Sequence, residues 1–292
     1  MPTRDERAEQ AAKTCARMKA VFSKETQSVI DTVKLYNEGD GWNLPVPQGE
    51  GETQVRIERG NIARALFGID EKTCVLDPAS FTRPAASFMA GGWGPEAMLC
   101  AASNLYLVLE SMKESFYDKN KPYFSDGLFN DRAAYLSGVT FIDSGKTKQA
   151  DVLVMAEPDR KRALQSGRRS EAECDVQLRH RIQSALGIAA ANGCTAFVAS
   201  GFACGFSGNA PELVASIFKE WLEQHPGVFA QVVFVLGANE VIDAFSNAFP
   251  GALKKAEPKK EEVAAKESEQ AEDDEDDMTD IPAPNADGVW VF

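Results

Sequence analysis

An α/β domain with a largely buried sheet is what this sequence predicts, on three observations. From residue 53 onward, short apolar runs alternate with segments of helical period. The apolar runs carry few polar residues, as strands covered on both faces do. The hydrophobic share of 44% is enough to bury a sizeable core. The chain of 292 residues divides into a helical N-terminal extension and loop over 1–52, a folded body over 53–253, and a charged tail over 254–292.

Each element has its own signal. Residues 1–36 read as helical, with Phe22, Val29, Ile30 and Val33 on one face. Residues 37–52 are rich in Gly and Pro and read as a loop. Strands are predicted over 53–57, 74–76, 139–142, 151–156, 196–200 and 231–236. Helices are predicted over 61–67, 96–112, 171–191 and 211–223. After Leu253 the composition changes to a charge-dense stretch without aromatics. It buries too little apolar surface to offset the entropy of ordering, so disorder is expected there. The last six residues, DGVWVF, end that tail on Trp290 and Phe292. They suit either a docking peptide for a protein partner or a strand returning to the body.

The formal charge of -13 is uneven, with most of it in the tail. The body is only mildly acidic, which argues against nucleic-acid binding driven by bulk charge. The arginines between 160 and 181 give a local basic bias that interleaved acids dilute. No apolar run is long enough to span a membrane, and the N-terminus lacks the apolar core of a secretory signal. The six cysteines show no paired metal spacing, so reduced thiols, an intracellular location, no metal and no cofactor are expected. His180 and His225 stand apart from other imidazoles, and neither is expected to be catalytic.

Four blocks carry chemistry. They are residues 75–80 (VLDPAS), 84–100 (PAASFMAGGWGPEAMLC), 151–159 (DVLVMAEPD) and 199–211 (ASGFACGFSGNAP). In order and spacing they resemble the microbial-type poly(ADP-ribose) glycohydrolases, a branch of the macrodomain fold. That resemblance spans roughly residues 53–237 and implies a three-layer α/β/α sandwich. The family signature reads approximately P-G-G-G-F-L-x-G-x-x-x-Q-E-E-x-L-C, and the second block fits it without a gap.

The resemblance also locates the departures. Ala85, Ala86 and Ser87 stand at the triple glycine, which lets backbone approach the ligand and take positive φ. Pro95, Glu96 and Ala97 stand at Gln-Glu-Glu, whose second glutamate is the family's catalytic acid, so Ala97 has nothing to titrate there. Neighbouring helical residues point about 100° apart, so Glu96 is not expected simply to replace it. Asp77 stands where the family often has asparagine, and Glu157 and Asp159 where neutral groups are usual. The last block resembles the second phosphate-binding loop, G-C-G-x-F-x-N-x-P. Cys204, Gly205, Asn209 and Pro211 match, Ala203 replaces the first glycine, Ser207 replaces an aromatic, and Gly208 fills a variable position. The vestigial ligand set is therefore Asp77, Ala85, Ala86, Ser87, Glu96, Ala97, Cys204, Gly205, Ser207, Gly208 and Asn209.

Three functions fit. One is a catalytically degenerate glycohydrolase relative that binds or scaffolds, with ADP-ribose or an ADP-ribosylated protein as ligand. Another is an active ADP-ribosyl glycohydrolase with a relocated acid such as Glu96, Asp77, Glu157 or Asp159. A third is a structural subunit whose cleft is filled by its own side chains, with Trp93 as plug. The substitutions fall on the chemistry while the framework persists, which favours the first.

Overall fold

The computed structural model describes residues 2–42 and 44–254. The predicted acidic tail beyond Lys254, with Trp290 and Phe292, lies outside the described residues. The helices are α1 (Arg4–Val21), α2 (Ser23–Asp31), α3 (Ile62–Ala65), α4 (Pro95–Ala101), α5 (Leu105–Ser111), α6 (Asp118–Asn120), α7 (Arg160–Gln165), α8 (Glu171–Ala191), α9 (Pro211–Gln224) and α10 (Asn239–Ala248). The strands are β1 (Lys34–Tyr36), β2 (Gln54–Arg59), β3 (Thr73–Pro78), β4 (Ala133–Asp143), β5 (Lys146–Met155), β6 (Ala196–Ser200) and β7 (Gln231–Leu236).

The strands form one seven-stranded sheet in the order β1-β4-β5-β3-β6-β7-β2. From β5 to β2 the neighbours run parallel, and β4 and β1 close one edge antiparallel. Strand alternation sends successive side chains to opposite faces. Phe197 and Ala199 of β6 enter the core shared with α8, α9 and α10, through Leu178, Phe218 and Phe245. Ala196 and Val198 enter the core shared with α1 to α5, through Ala11, Val29, Leu99 and Val108. This is the expected three-layer α/β/α arrangement. Among the described residues, no helix is long and apolar enough to cross a membrane.

The departures from the predicted elements have local causes. The single helix expected over 96–112 is broken between α4 and α5. There Ser103 Oγ donates to Leu99 O at 2.7 Å and accepts from Leu105 N at 3.1 Å. Asn104 Oδ1 accepts from Thr140 N at 3.0 Å, and Ile142 N donates to Ala102 O at 2.7 Å, so the break is stitched to β4. The strand expected over 139–142 is the second half of a longer one. Ser144 and Gly145, both at positive φ, close a two-residue hairpin into β5, as this turn geometry requires. Residues 34–36 pair as an edge strand, not as helix.

Candidate cleft at the strand ends

Asp77, near the end of β3, shares the face of Val75 by strand alternation, and that face packs against α4. Glu96 lies in the first turn of α4, which starts on Pro95 as expected for a residue without an N–H. Glu157 follows the end of β5, the parallel neighbour of β3. Three carboxyl groups from three elements therefore meet where parallel strands end, the position at which α/β sheets take ligands.

Asp77 and Glu96 are buried, Glu157 is half-buried, and the three lie close enough to repel one another. Asp77 is fully buried, and neither of its oxygens has a hydrogen-bond partner among the described residues. Burial, with repulsion from Glu157, pushes its pKa up to about 8. Glu96 is driven well above the usual carboxylate range by burial and by Asp77, and its Oε1 also lacks a partner. The buried Tyr117 hydroxyl is unpartnered too, and burial together with Glu96 and Asp77 raises its pKa. Asp77 is thus held largely protonated near neutral pH, and burial moves Glu96 in the same direction.

Glu157 differs. Its Oε1 accepts from Ala203 N at 2.8 Å and its Oε2 from Ser207 Oγ at 2.7 Å. Burial raises its pKa, while these two donors pull it back down. Both donors belong to the loop after β6, the segment read as a phosphate-binding turn. The side chain of Glu157 thus takes up two donors of that turn. Asn209 pins the same loop by donating to Pro158 O and Ala203 O, both at 3.1 Å.

The two loops keep the backbone of glycine without the residue. Ala85 and Ala86 have φ of 46° and 40°, and Ala203 has 62°. Ser87, at the third of the glycine positions in the first loop, does not share this conformation and lies at φ -113°. Left-handed backbone costs an L-residue about 1–2 kcal/mol, and surrounding contacts must impose it. The end of the first loop is clamped by α1, whose Arg4 Nε donates to Ala90 O and Arg7 Nε to Gly91 O, both at 2.9 Å. Gly91, at φ 72°, is needed there because a Cβ would stand 2.0 Å from Arg4 O.

Other predicted positions are dispersed. Ala97 lines a cavity of about 520 Å³ with Arg7, Phe88, Trp93 and Met98, and that lining includes none of the three acids. Ser87 and Ala86 are exposed, Ser207 and Asn209 buried, Cys204 half-buried, and Gly205 and Gly208 exposed at the loop tip. Trp93 is 68% exposed with Arg7 over its ring, so it does not plug the cleft. Asp159 caps α7 by accepting from Arg162 N at 2.9 Å and is not the relocated acid. Cys100 and Cys204 are held as thiols by burial. The arginines of the basic stretch are engaged: Arg160 with Glu171 and Asp175, Arg169 with Asp126 and Glu173, and Arg179 with Glu220. Sequence reasoning missed Tyr117 as a cleft residue and Phe206, which stands fully exposed at the tip of the second loop. Among the described residues, no group of His, Cys, Asp and Glu is placed to hold a metal ion.

A seven-stranded mixed sheet between helical layers, with two turns at its strand ends, defines a macrodomain-like fold. Residues 8–143, a little under half of the chain, match the family described as microbial-type PARG, catalytic domain. The poly(ADP-ribose) glycohydrolase of Thermomonospora curvata superposes with a TM-score of 0.73 at 22% identity, covering 83% of this chain and 99% of that one. The enzyme from Deinococcus radiodurans in complex with ADP-ribose gives 0.68 at 22% identity, covering 76% and 96%. The Thermomonospora curvata enzyme bound to the inhibitor ADP-HPD gives 0.70 at 22% identity, over 83% and 99%. The resemblance to the microbial-type poly(ADP-ribose) glycohydrolases therefore holds in sequence over the first half and in fold over most of the chain. No curated protein matches the sequence.

Proposed function

We propose that this chain is a catalytically degenerate relative of the poly(ADP-ribose) glycohydrolases that acts by binding, with ADP-ribose or a related nucleotide as its ligand. The observation that carries this reading is the seat of Glu157. The second loop retains two donors around an anion, and the anion it holds is the protein's own. A diphosphate would take the same donors by displacing that carboxylate. Meanwhile Ala97, at the position of the family's acid, carries no titratable group and lines a different cavity. Binding without hydrolysis suits a scaffold role toward ADP-ribosylated protein, with the acidic tail, Trp290 and Phe292 as the partner-facing element.

One observation favours a second reading. Glu96 reaches the cleft, is buried beside Asp77, and has its pKa raised well above the usual carboxylate range. A protonated carboxyl near a second one is the equipment of glycoside cleavage. The two readings separate in a glycohydrolase assay on poly(ADP-ribose), run beside ADP-ribose calorimetry. The binding reading expects saturable heat with ADP-ribose and no turnover above a protein-free control. Turnover by the wild type that falls about 10²–10⁴-fold in Glu96→Gln would make Glu96 a general acid and sink that reading.

A further inference from the structure

Beside the cleft, a second cavity of about 490 Å³ lies between the chain leaving β1 and the segment entering β4. Its lining includes Asn37, Glu38, Lys119, Tyr123, Asn130 and Arg132. The register places it at the same end of the strands as the cleft, since Tyr36 pairs with Ala133, and Ala133 with Met155.

Arg132 is only 9% exposed, yet among the described residues no carboxylate pairs with it. One guanidinium nitrogen donates to Asn120 Oδ1 at 2.6 Å, and the group lies over the Phe116 ring at 5.5 Å. Asn120 is itself oriented by donating to Phe81 O at 2.8 Å, so the guanidinium is fixed from two sides. A guanidinium has five N–H donors in a planar fork that matches carboxylate and phosphate oxygens. Asn130, 6% exposed, leaves both its amide nitrogen and its oxygen without a partner. Burying a cation without a counter-charge and an amide without hydrogen bonds is unfavourable unless something else supplies the partners. Lys119 adds a second cation at the exposed rim, and Glu38 is the single carboxylate among the lining residues.

We propose that this cavity binds a small organic anion. Its carboxylate or phosphate sits on Arg132 and Lys119, a polar substituent pairs with the Asn130 carboxamide, and its body lies against the half-exposed Tyr123 ring. The site is distinct from the acid-lined cleft and does not depend on how that cleft is used.

The test is titration of the full chain at constant ionic strength with inorganic phosphate and, separately, succinate. Calorimetry supplies the affinity, and the Asn130 side-chain amide signal in nitrogen-15 correlation spectra supplies the location. We expect one of the two anions to saturate and to move the Asn130 signal, and which one does so distinguishes a phosphate from a carboxylate ligand. Arg132→Lys keeps the charge but loses the fork and should weaken binding about tenfold, and Lys119→Gln about threefold. Lys119 is on the surface, so its variant remains interpretable if Arg132→Lys fails to fold. The proposal is overturned if neither anion saturates, if saturation leaves the Asn130 signal unmoved, or if Lys119→Gln binds as the wild type does.

Discussion

The two loops that rim the cleft solve the same backbone problem differently. Both place alanine at left-handed φ, at Ala85 and Ala86 in the first and at Ala203 in the second. The first is held from outside, by Arg4 and Arg7 of α1 on its carbonyls. The second is held from inside, by Glu157 on its donors and Asn209 across its base. The contrast shows that one backbone conformation can be anchored in two ways: by clamps from a neighbouring helix, which take none of the loop's own donors, or by a carboxylate that uses those donors.

The largest expected effect tests the charge between the loops. Asp77 ordinarily titrates near 3.8 and is pushed up to about 8 in the fold. A carboxyl group with a raised folded pKa stabilises below its unfolded pKa, and that contribution is lost as pH rises through the folded value. Stability should therefore fall between about pH 4 and pH 8, by at most on the order of 5 kcal/mol. Asp77→Asn should flatten this decline and be the more stable protein at pH 9, as measured by urea unfolding. A wild type equally stable at pH 5 and pH 9 would mean that Asp77 is not held protonated.

Next comes the internal anchor. Glu157→Gln removes the charge from the second loop while keeping its shape. Affinity for ADP-ribose should rise by about 10–100-fold in calorimetry, and the pH dependence assigned to Asp77 should weaken because its repelling neighbour is gone. An unchanged affinity would show that Glu157 does not occupy a working anion site.

The smallest effects distinguish strain from packing. Ala86 is exposed, so Ala86→Gly should relieve its positive φ and raise stability by about 0.5–1 kcal/mol in thermal unfolding. Ala203 is fully buried, and the methyl lost in Ala203→Gly is worth about 0.8 kcal/mol, so the net change there should be near zero. Equal gains at both positions would mean that burial does not offset strain in the second loop.

Much of the frame was legible because periodicity is a local property. The predicted spans 171–191, 196–200 and 231–236 coincide with α8, β6 and β7. The break between α4 and α5 was not legible, because the local bonds of Ser103 are locked in by bonds to β4, some 36 residues away. β1 was equally hidden, since three residues become a strand only by pairing with an edge that already exists. At the site, the motif spacing located the two loops and the acidic positions Asp77, Glu96 and Glu157. It did not reveal that Glu96, and not Ala97, joins the other acids.

The α/β frame, the family resemblance and the absence of a titratable group at Ala97 could be read without coordinates, because each rests on residue type and order. Which acids share the cleft, which alanines take a left-handed φ, and that Glu157 bonds the second loop came only from the fold. Those outcomes depend on distances between elements, and on how much water each carboxylate loses, which no local pattern encodes.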